Sequence, residues 1–436
     1  MIRMNRRKLF VASAVIAVGS MAVAAVPAQA FAPHRAEIGV SASSIKLGIS
    51  VPMTGIASPG YNKIPGAMKA YFDYVNANGG VNGRKISLVI KDDQYIPTLA
   101  VAKANELILK DKVFALLGTL GTASNKAIAS SVQLAKRGVP ALFVNTGFSG
   151  FADKSKYPTT FSILPSYQME AKIMSQYIKE NYAGKKLGLI YQDDDFGVDA
   201  LAGFKQGGVN FDVKVPYASG SQGVAGTAAG WIQKLQAGGA EVVVLFGVSS
   251  ATTAALGNAY ALKYAPQWLL GSVGGDATTI ASAKVVPVAL MRGSKGFSFA
   301  PAPTDTADEY IKMFQDVNTT YNKGVAFDNN IVAGMTSAFI TVQALQAAGA
   351  NLTRKSLMDA IETKGSTFAS PTLTPLGYST TSHVGATGYW IGTYDATGSL
   401  KPDGGAYTVY TTDSGSGAVV KSTYKRAPMP AKGLPN

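Results

Sequence analysis

Two short loops rich in glycine and hydroxyl groups are the strongest candidates for chemistry in this chain. Residues 118–125 (GTLGTASN) and residues 145–150 (NTGFSG) each follow an apolar segment that is predicted to be a strand. The first loop also enters a predicted helix, so its free backbone N–H groups, its hydroxyls and the helix dipole can hold a carboxylate. Ordinary capping of that helix by Thr122 or Ser124 remains an alternative interpretation.

Three consecutive carboxylates form a further candidate at positions 193–195 (DDD). Their spacing lacks the alternating ligands and the distal Glu of an EF-hand calcium loop. Helix capping, or recognition of a ligand ammonium by one of them, is the favoured interpretation. Two more small loops, residues 247–250 and 271–276, follow the next predicted strands and can form the opposite wall of a cleft.

The residue inventory argues against an enzyme. The chain has no Cys and only two His, His34 and His383, which removes thiol nucleophiles, thiolate metal sites and an evident His-based triad. It also lacks a phosphate loop followed by Lys and a nucleophile elbow in a strand-to-helix context. We therefore expect a binding protein with no cofactor and no metal; an exported enzyme of the α/β hydrolase type is the alternative. No basic run interleaved with aromatics indicates nucleic acid as a partner.

The elements that must position these loops alternate between strand and helix in two runs. The predicted strands cover residues 45–52, 85–91, 113–117 and 141–145 in the first run and residues 187–191, 211–216, 241–246 and 267–271 in the second. Helical periodicity fills the intervals, and short connections join the elements. This pattern predicts an α/β protein with two doubly wound parallel-sheet lobes, and the helical segments after residue 306 are expected to return to the first lobe.

The first thirty residues predict a cleavable export signal. Four basic residues lie within positions 3–8, an apolar run covers residues 9–26, and Ala28, Gln29 and Ala30 fit a cleavage site. An uncleaved membrane anchor is the alternative. Because no Cys is present to carry a lipid anchor, a free periplasmic protein is expected. The formal net charge is +14, of which the four basic residues of the signal supply +4; the remaining excess can steer an anionic solute, favour an anionic membrane surface or simply keep the surface solvated.

Beyond these single features, the chain resembles the type I periplasmic binding proteins that serve ABC transporters for branched-chain amino acids and related compounds. The resemblance runs over residues 45–394. It is carried by the order and spacing of MTG at 53–55, residues 64–84, DDQ at 92–94, the loop 118–124, residues 139–149, YP at 157–158, PSY at 165–167 and residues 191–197.

The resemblance implies two lobes joined by a three-strand hinge that close on a small ligand. Crossings are expected near Leu164, Gly296 and Ser370. The implied lobes are residues 44–164 with 297–370, and residues 165–296 with 371–425; residues 426–436 are expected to be a loose tail. The implied partners are a small-molecule ligand, such as an amino acid or an organic carboxylate, and the membrane subunits of an ABC permease. A ligand sensor that docks on a receptor has the same features.

Matching positions of the family imply the ligand-binding residues. Two first-lobe loops would hold the ligand carboxylate through hydroxyls and backbone groups, and an aromatic ring of the second lobe would cover the ligand. The implied residues are Thr122, Ala123, Gly147, Phe148 and Ser149 in these loops, Phe196 as the cover, Ser249 and Val273 in the second lobe, and Tyr61 near the mouth.

One departure from the family bears on the ligand. Amino-acid-binding members place an acidic residue in the loop that matches residues 271–275, and here the matching residue is Val273. Asp276 or one of the carboxylates at 193–195 can substitute for it. Without such a partner a buried ammonium is too costly, which predicts a ligand that carries no amine.

Overall fold

The computed structural model describes residues 37–282 and 286–435 of the chain. The predicted export signal, residues 1–30, lies outside the described residues. Two separate β-sheets organise the described part, and each is covered by helices. The predicted fold class, two α/β lobes built on parallel sheets, is confirmed.

The first sheet has five parallel strands. These are β1 (Ser44–Val51), β2 (Lys85–Asp92), β3 (Ala115–Leu117), β4 (Ala141–Val144) and β5 (Thr160–Ser162), in the spatial order β2-β1-β3-β4-β5. The helices between them are α1 (Ile64–Ala77), α2 (Pro97–Asn105), which continues as a π-helical turn (Glu106–Lys110), α3 (Thr122–Ser131) and α4 (Leu134–Arg137). Every residue of β3, β4 and β5 is buried, as expected for a parallel sheet that is covered on both faces.

The second sheet begins as a parallel sheet and ends as an antiparallel one. Its parallel part holds β6 (Leu187–Gln192), β7 (Val213–Tyr217), β8 (Val242–Phe246), β9 (Gln267–Leu270) and β10 (Lys295–Ser298). Its antiparallel part holds β11 (Gly388–Tyr394), β12 (Leu400–Pro402), β13 (Val409–Thr411) and β14 (Val420–Lys421). The helices of this lobe are α5 (Tyr167–Asn181), α6 (Asp195–Gln206), α7 (Thr227–Ala237), α8 (Ser249–Ala261) and α9 (Ala277–Ser282).

Three later helices lie on the first lobe. They are α10 (Glu309–Tyr321), α11 (Asn329–Ala347) and α12 (Arg354–Lys364). The ring of Tyr71 in α1 packs 5.7 Å from that of Phe339 in α11, and the Arg354 guanidinium donates a 2.8 Å hydrogen bond to the carbonyl of Phe114. These helices cover the face of the first sheet that α1 alone leaves incompletely buried.

The chain passes between the two sheets three times, through segments that we call the crossing segments: residues 163–166, 299–308 and 365–387. They are hydrogen-bonded to one another. The N–H of Leu373 donates to the carbonyl of Phe299 at 2.8 Å, and the N–H of Ala386 donates to that of Ile163 at 3.1 Å. Gly385 permits the second approach, because a Cβ at that position would collide with the Ile163 backbone. The crossing segments therefore lie side by side as one hinge.

Residues 376–386 pack on the first lobe, so the range 371–425 predicted for the second lobe begins too early. The Tyr378 hydroxyl donates to the carbonyl of Ser162, and the buried His383 ring stacks 3.8 Å from Phe161. The reason is hydrophobic: Leu376 and Tyr378 are both buried in the core, and Tyr378 packs 5.8 Å from the ring of Phe143 in β4.

The prediction of a loose tail over residues 426–436 is wrong for the described residues 426–435. Arg426 forms an ion pair with Asp308, and the Tyr71 hydroxyl donates to the carbonyl of Gly433 at 2.7 Å. Leu434 packs against the core of the first lobe. Proline and lysine in this segment indicated a disordered end, but its carbonyls and its Arg find partners on α1 and on the N terminus of α10.

Candidate functional site

The two first-lobe loops that the sequence singled out are joined by a hydroxyl network at the carboxyl edge of the first sheet. Thr122 is the first residue of α3, and its Oγ1 lies 2.7 Å from Oγ1 of Thr146 in the second loop. Thr146 also accepts a 3.2 Å hydrogen bond from the N–H of Phe148 and lies 3.3 Å from the Tyr167 hydroxyl. Ala123 is half-buried beside Thr122. The network fixes both loops relative to the start of α5.

Ser149 makes its strongest contacts with the second lobe. Its hydroxyl donates to Oδ1 of Asp199 in α6 at 2.5 Å, and its N–H donates to Oδ2 at 2.8 Å. Gln168 donates to both partners, to Ser149 Oγ at 2.9 Å and to Asp199 Oδ1 at 2.8 Å. Burial raises the pKa of Asp199, while hydrogen bonds from Ser149 and Gln168 oppose that shift. Gly147, in the same loop, accepts a hydrogen bond from the N–H of Tyr167 at 2.7 Å.

Tyr61, Ser249 and Val273 also meet between the lobes. The hydroxyl of Tyr61, on the first lobe, donates to the carbonyl of Val273 at 3.0 Å, and Ser249 Oγ reaches the same carbonyl at 3.4 Å. Burial raises the pKa of Tyr61, so it stays a neutral donor at physiological pH. A further ion pair, Lys126 with Asp195 at 2.6 Å, links α3 to α6. The lobes are thus in contact through side chains from both sets of loops.

A small void of about 20 Å³ lies among these contacts. Three predicted residues line it, and the ring of one of them, Phe196, packs 4.5 Å from that of Tyr167. The full lining is Tyr61, Tyr95, Leu120, Gly121, Asn145, Leu164, Tyr167, Phe196, Val248 and Val273. This volume is enough for about one water molecule. The ring of Tyr95 crowds the N-terminus of α3, because a Cβ added at Gly121 would lie 2.8 Å from it.

A larger cavity of about 340 Å³ adjoins the small void at the hinge, and we call it the hinge chamber. Tyr61, Asn145, Leu164 and Val273 line both spaces. The other lining residues come from the crossing segments and the strands beside them, the α9 region, the N-terminal part of α11 and the turn between β11 and β12. The rings on its wall belong to Phe297, Phe299, Phe327, Trp390 and Tyr394, and its polar groups include Ser272, Asp276, Asn330 and Thr336.

Four carboxylates were candidates to replace the acidic residue that the family places at position 273, and the structure gives them different surroundings. Asp276 lines the hinge chamber, is 5% exposed, and accepts hydrogen bonds from Thr279 and, at 2.6 Å, from Asn330 of α11. Asp193 is exposed, and Asp195 pairs with Lys126 as described above. Asp194 caps α6 through the N–H of Phe196 at 2.9 Å. Asp276 is therefore the member of this set that faces the chamber.

A fifth acid, Glu170 in α5, supports the loop that separates the two spaces. It is fully buried and accepts hydrogen bonds from the N–H of Ser272 at 2.6 Å and from the Ser272 hydroxyl at 2.9 Å. Burial raises the pKa of Glu170 to about 7, against the opposing effect of these donors. Sequence reasoning missed this residue, because a lone Glu in an amphipathic helix looks like any exposed carboxylate.

Other missed residues had a sequence signal. Tyr95 follows directly after the DDQ segment at the carboxyl end of β2, and Tyr167 begins α5 directly after the first crossing segment. Both positions are where parallel sheets gather ligands. The aromatic residues of the hinge chamber had no such signal, since Phe297 and Phe299 are far in sequence from Trp390 and all three have the character of ordinary core residues.

Within residues 37–282 and 286–435, no three side chains of the His, Cys, Asp or Glu type are grouped so that they can hold a metal ion. In the same part of the chain, no helix combines the length and the apolar character needed to cross a bilayer.

Comparison with known proteins agrees with this architecture. The periplasmic binding protein family matches residues 44–399. An amino acid binding protein from Pseudomonas aeruginosa is 31% identical over 217 residues, which are 47% of this chain and 54% of that protein. The chain spans about half the length of the curated relatives it matches.

Two solved structures share the fold. A possible leucine/isoleucine/valine-binding protein from Rhodopirellula baltica is 20% identical, with a TM-score of 0.72 over 83% of this chain and 96% of that one. A branched-chain amino acid ABC transporter protein from Thermus thermophilus, with bound valine, is 19% identical, with a TM-score of 0.72 over 83% of this chain and 96% of that one. By its sequence match and its architecture, this chain belongs to the periplasmic binding protein family.

Proposed function

We propose that the protein binds one small solute between its lobes, an amino acid or a related small carboxylate or amide, and delivers it to the permease of an ABC importer. The observation that carries the proposal is that residues of both lobes and of the crossing segments together line the hinge chamber. The valine bound by the relative from Thermus thermophilus supports the amino acid class. The export signal predicted over residues 1–30 supports delivery from the periplasm, and binding needs neither a cofactor nor covalent chemistry.

The charges around the chamber favour a ligand that carries an amine. The free N–H groups in the first turn of α3, at Thr122 and Ala123, suit the ligand carboxylate. On the second lobe, where Val273 replaces the acid of amino-acid-binding members, the buried carboxyl of Asp276 lines the chamber and accepts hydrogen bonds from Thr279 and Asn330. A ligand ammonium that reaches this carboxyl would gain an acidic partner, so the amine-free ligand that Val273 alone would predict is not required.

Calorimetry and thermal unfolding of the chain without residues 1–30 test this proposal. A panel of twenty amino acids, their amides and their deaminated analogues should contain a ligand that stabilises the protein by about 2.7 kcal/mol at a hundredfold excess over its Kd. Asp276→Asn should weaken the binding of the amine-bearing ligand more than the binding of its deaminated analogue. Asp193→Asn, at an exposed position, is the control. Turnover of a solute, with no stabilisation by any member of the panel, would contradict the proposal.

A further inference from the structure

We propose that the hinge chamber receives the side group of the ligand and selects an uncharged, ring-bearing one, so that the preferred solute is an aromatic amino acid and not a branched aliphatic or an acidic one. This inference rests on the proposed function, because it names the class of solute that the same interlobe site takes.

The volume of the hinge chamber suits a ring. It measures about 340 Å³. An engineered apolar cavity of about 150 Å³ in another protein is large enough to bind benzene. The chamber therefore has space for the aromatic side group of an amino acid. A valine or leucine side chain would leave much of its wall without contacts, and such voids lower affinity because dispersion contacts are lost.

The wall of the chamber is aromatic and firmly held. Trp390 is fully buried, and its indole N–H already donates to the carbonyl of Ala300 at 2.8 Å, so that its ring contributes apolar surface. Phe297 is also buried, and the ring of Phe299 packs edge-on against Tyr389 at 6.0 Å. Rings prefer offset or edge-to-face contact with other rings, and such a wall offers several of these contacts to an aromatic ligand.

The charges on the wall exclude an anionic side group. Asp276 and Asp328 are both buried on this wall, and Asp328 is already paired with Lys63 at 2.6 Å. Among the described residues that line the chamber, none is Lys, Arg or His. Because none of the described lining residues carries a cationic side chain, a carboxylate in the side group of the ligand would be desolvated here among apolar rings, which is costly. A neutral side group meets no such cost.

Titration calorimetry with four amino acids tests the selection. L-phenylalanine or L-tryptophan should bind the chain without residues 1–30. L-leucine should bind at least about tenfold more weakly, the discrimination expected of a shaped apolar pocket. L-glutamate should not bind at the same concentrations.

A pair of substitutions in α11 tests whether the chamber is responsible. Ala333 is half-buried and lines the chamber, so Ala333→Leu fills part of it. This variant should weaken the binding of L-phenylalanine and L-tryptophan at least about tenfold. The difference between their affinities and that of L-leucine should become smaller. Ala347→Leu makes the same change on the same helix at a half-buried position away from the chamber. It should leave all four affinities unchanged.

The outcomes separate this inference from the function on which it rests. If L-leucine or L-glutamate binds more tightly than the aromatic amino acids, or if Ala333→Leu leaves the preference unchanged, the selection is overturned and solute binding stands. If no solute of any class binds or stabilises the protein, the selection and the proposed function fall together.

Discussion

The two spaces between the lobes differ in how their walls are built. The small void is surrounded by groups that already contact one another across the gap, such as Tyr61 with Val273, and it holds about 20 Å³. The hinge chamber holds about 340 Å³, and its wall includes several aromatic rings and residues of the crossing segments. Under the proposed function we expect a division of labour, in which polar contacts around the void hold the lobes together and the hinge chamber selects the side group of the ligand.

The largest expected effect concerns Glu170, which supports the loop between the two spaces. Its pKa is raised from 4.5 to about 7 by burial, so the folded protein retains a proton that the unfolded chain loses in this interval. The contribution of Glu170 to the free energy of unfolding therefore falls as the pH rises from about 4.5 to 7. Glu170→Gln cannot ionise at this position. Its free energy of unfolding, measured in urea relative to that of the wild type, should therefore rise by ~3 kcal/mol between pH 4 and pH 8.

Glu180→Gln is the matched control for this measurement, because Glu180 lies exposed on the same helix. The difference between this control and the wild type should stay flat over the same pH range. A flat difference for Glu170→Gln as well would mean that Glu170 does not titrate as a buried acid and does not set the stability of the loop.

A smaller effect is expected at Ser149, whose hydroxyl contacts Asp199 of the second lobe. Ser149→Ala removes one donor to the buried Asp199 and should weaken ligand binding by about 1 to 3 kcal/mol, since the closed state loses a charge-assisted hydrogen bond. The loss should be the same for every ligand, unlike the loss from a chamber variant. Calorimetry with two ligands of different size measures this.

Ser130→Ala serves as the control, because the exposed Ser130 hydroxyl bonds only to carbonyls of its own helix among the contacts in the structure. If Ser149→Ala changed the order of ligand preference, the division of labour between the two spaces would be wrong.

The smallest effect is expected at the ion pair of Lys126 with Asp195. Both side chains are about a third exposed or more, so Lys126→Met should weaken ligand binding by only about 0.2 to 1 kcal/mol. The effect should vanish near 1 M salt, where the screening length is about 3 Å. Lys185→Met breaks an exposed pair within the second lobe, with Glu241, and should leave affinity unchanged at any salt concentration.

Much of the fold could be predicted because its elements are periodic. In α1, the apolar residues that recur with helical spacing, among them Tyr71 and Phe72, are buried in the structure. The sequence analysis missed β5 and β10, which have three and four residues and show no full period of alternation. The pairing of β11 with β10 was not predicted either. These strands are separated in sequence by three helices and two crossing segments, and pairing over such a distance has no local signal.

The site was predicted less completely than the fold. The loops at the ends of parallel strands were located because topology brings such ends to one edge, and Tyr61, Phe196 and Val273 do line the small void. That these residues and the other predicted ones touch a ligand stays a prediction. The hinge chamber could not be foreseen, because its wall is assembled from stretches of chain scattered between residues 61 and 400 that only the tertiary structure brings together.

The side-by-side crossing segments have a consequence for the order of events. When two bodies rotate about a common axis, atoms near the axis travel little and distant atoms travel far. The hinge chamber is walled by those segments, so it should keep its shape when the lobes part, whereas the pairs Ser149–Asp199 and Lys126–Asp195 should separate first. We therefore expect an arriving solute to meet a preformed chamber before the lobes close. A solute that does not fit could then dissociate from the open protein.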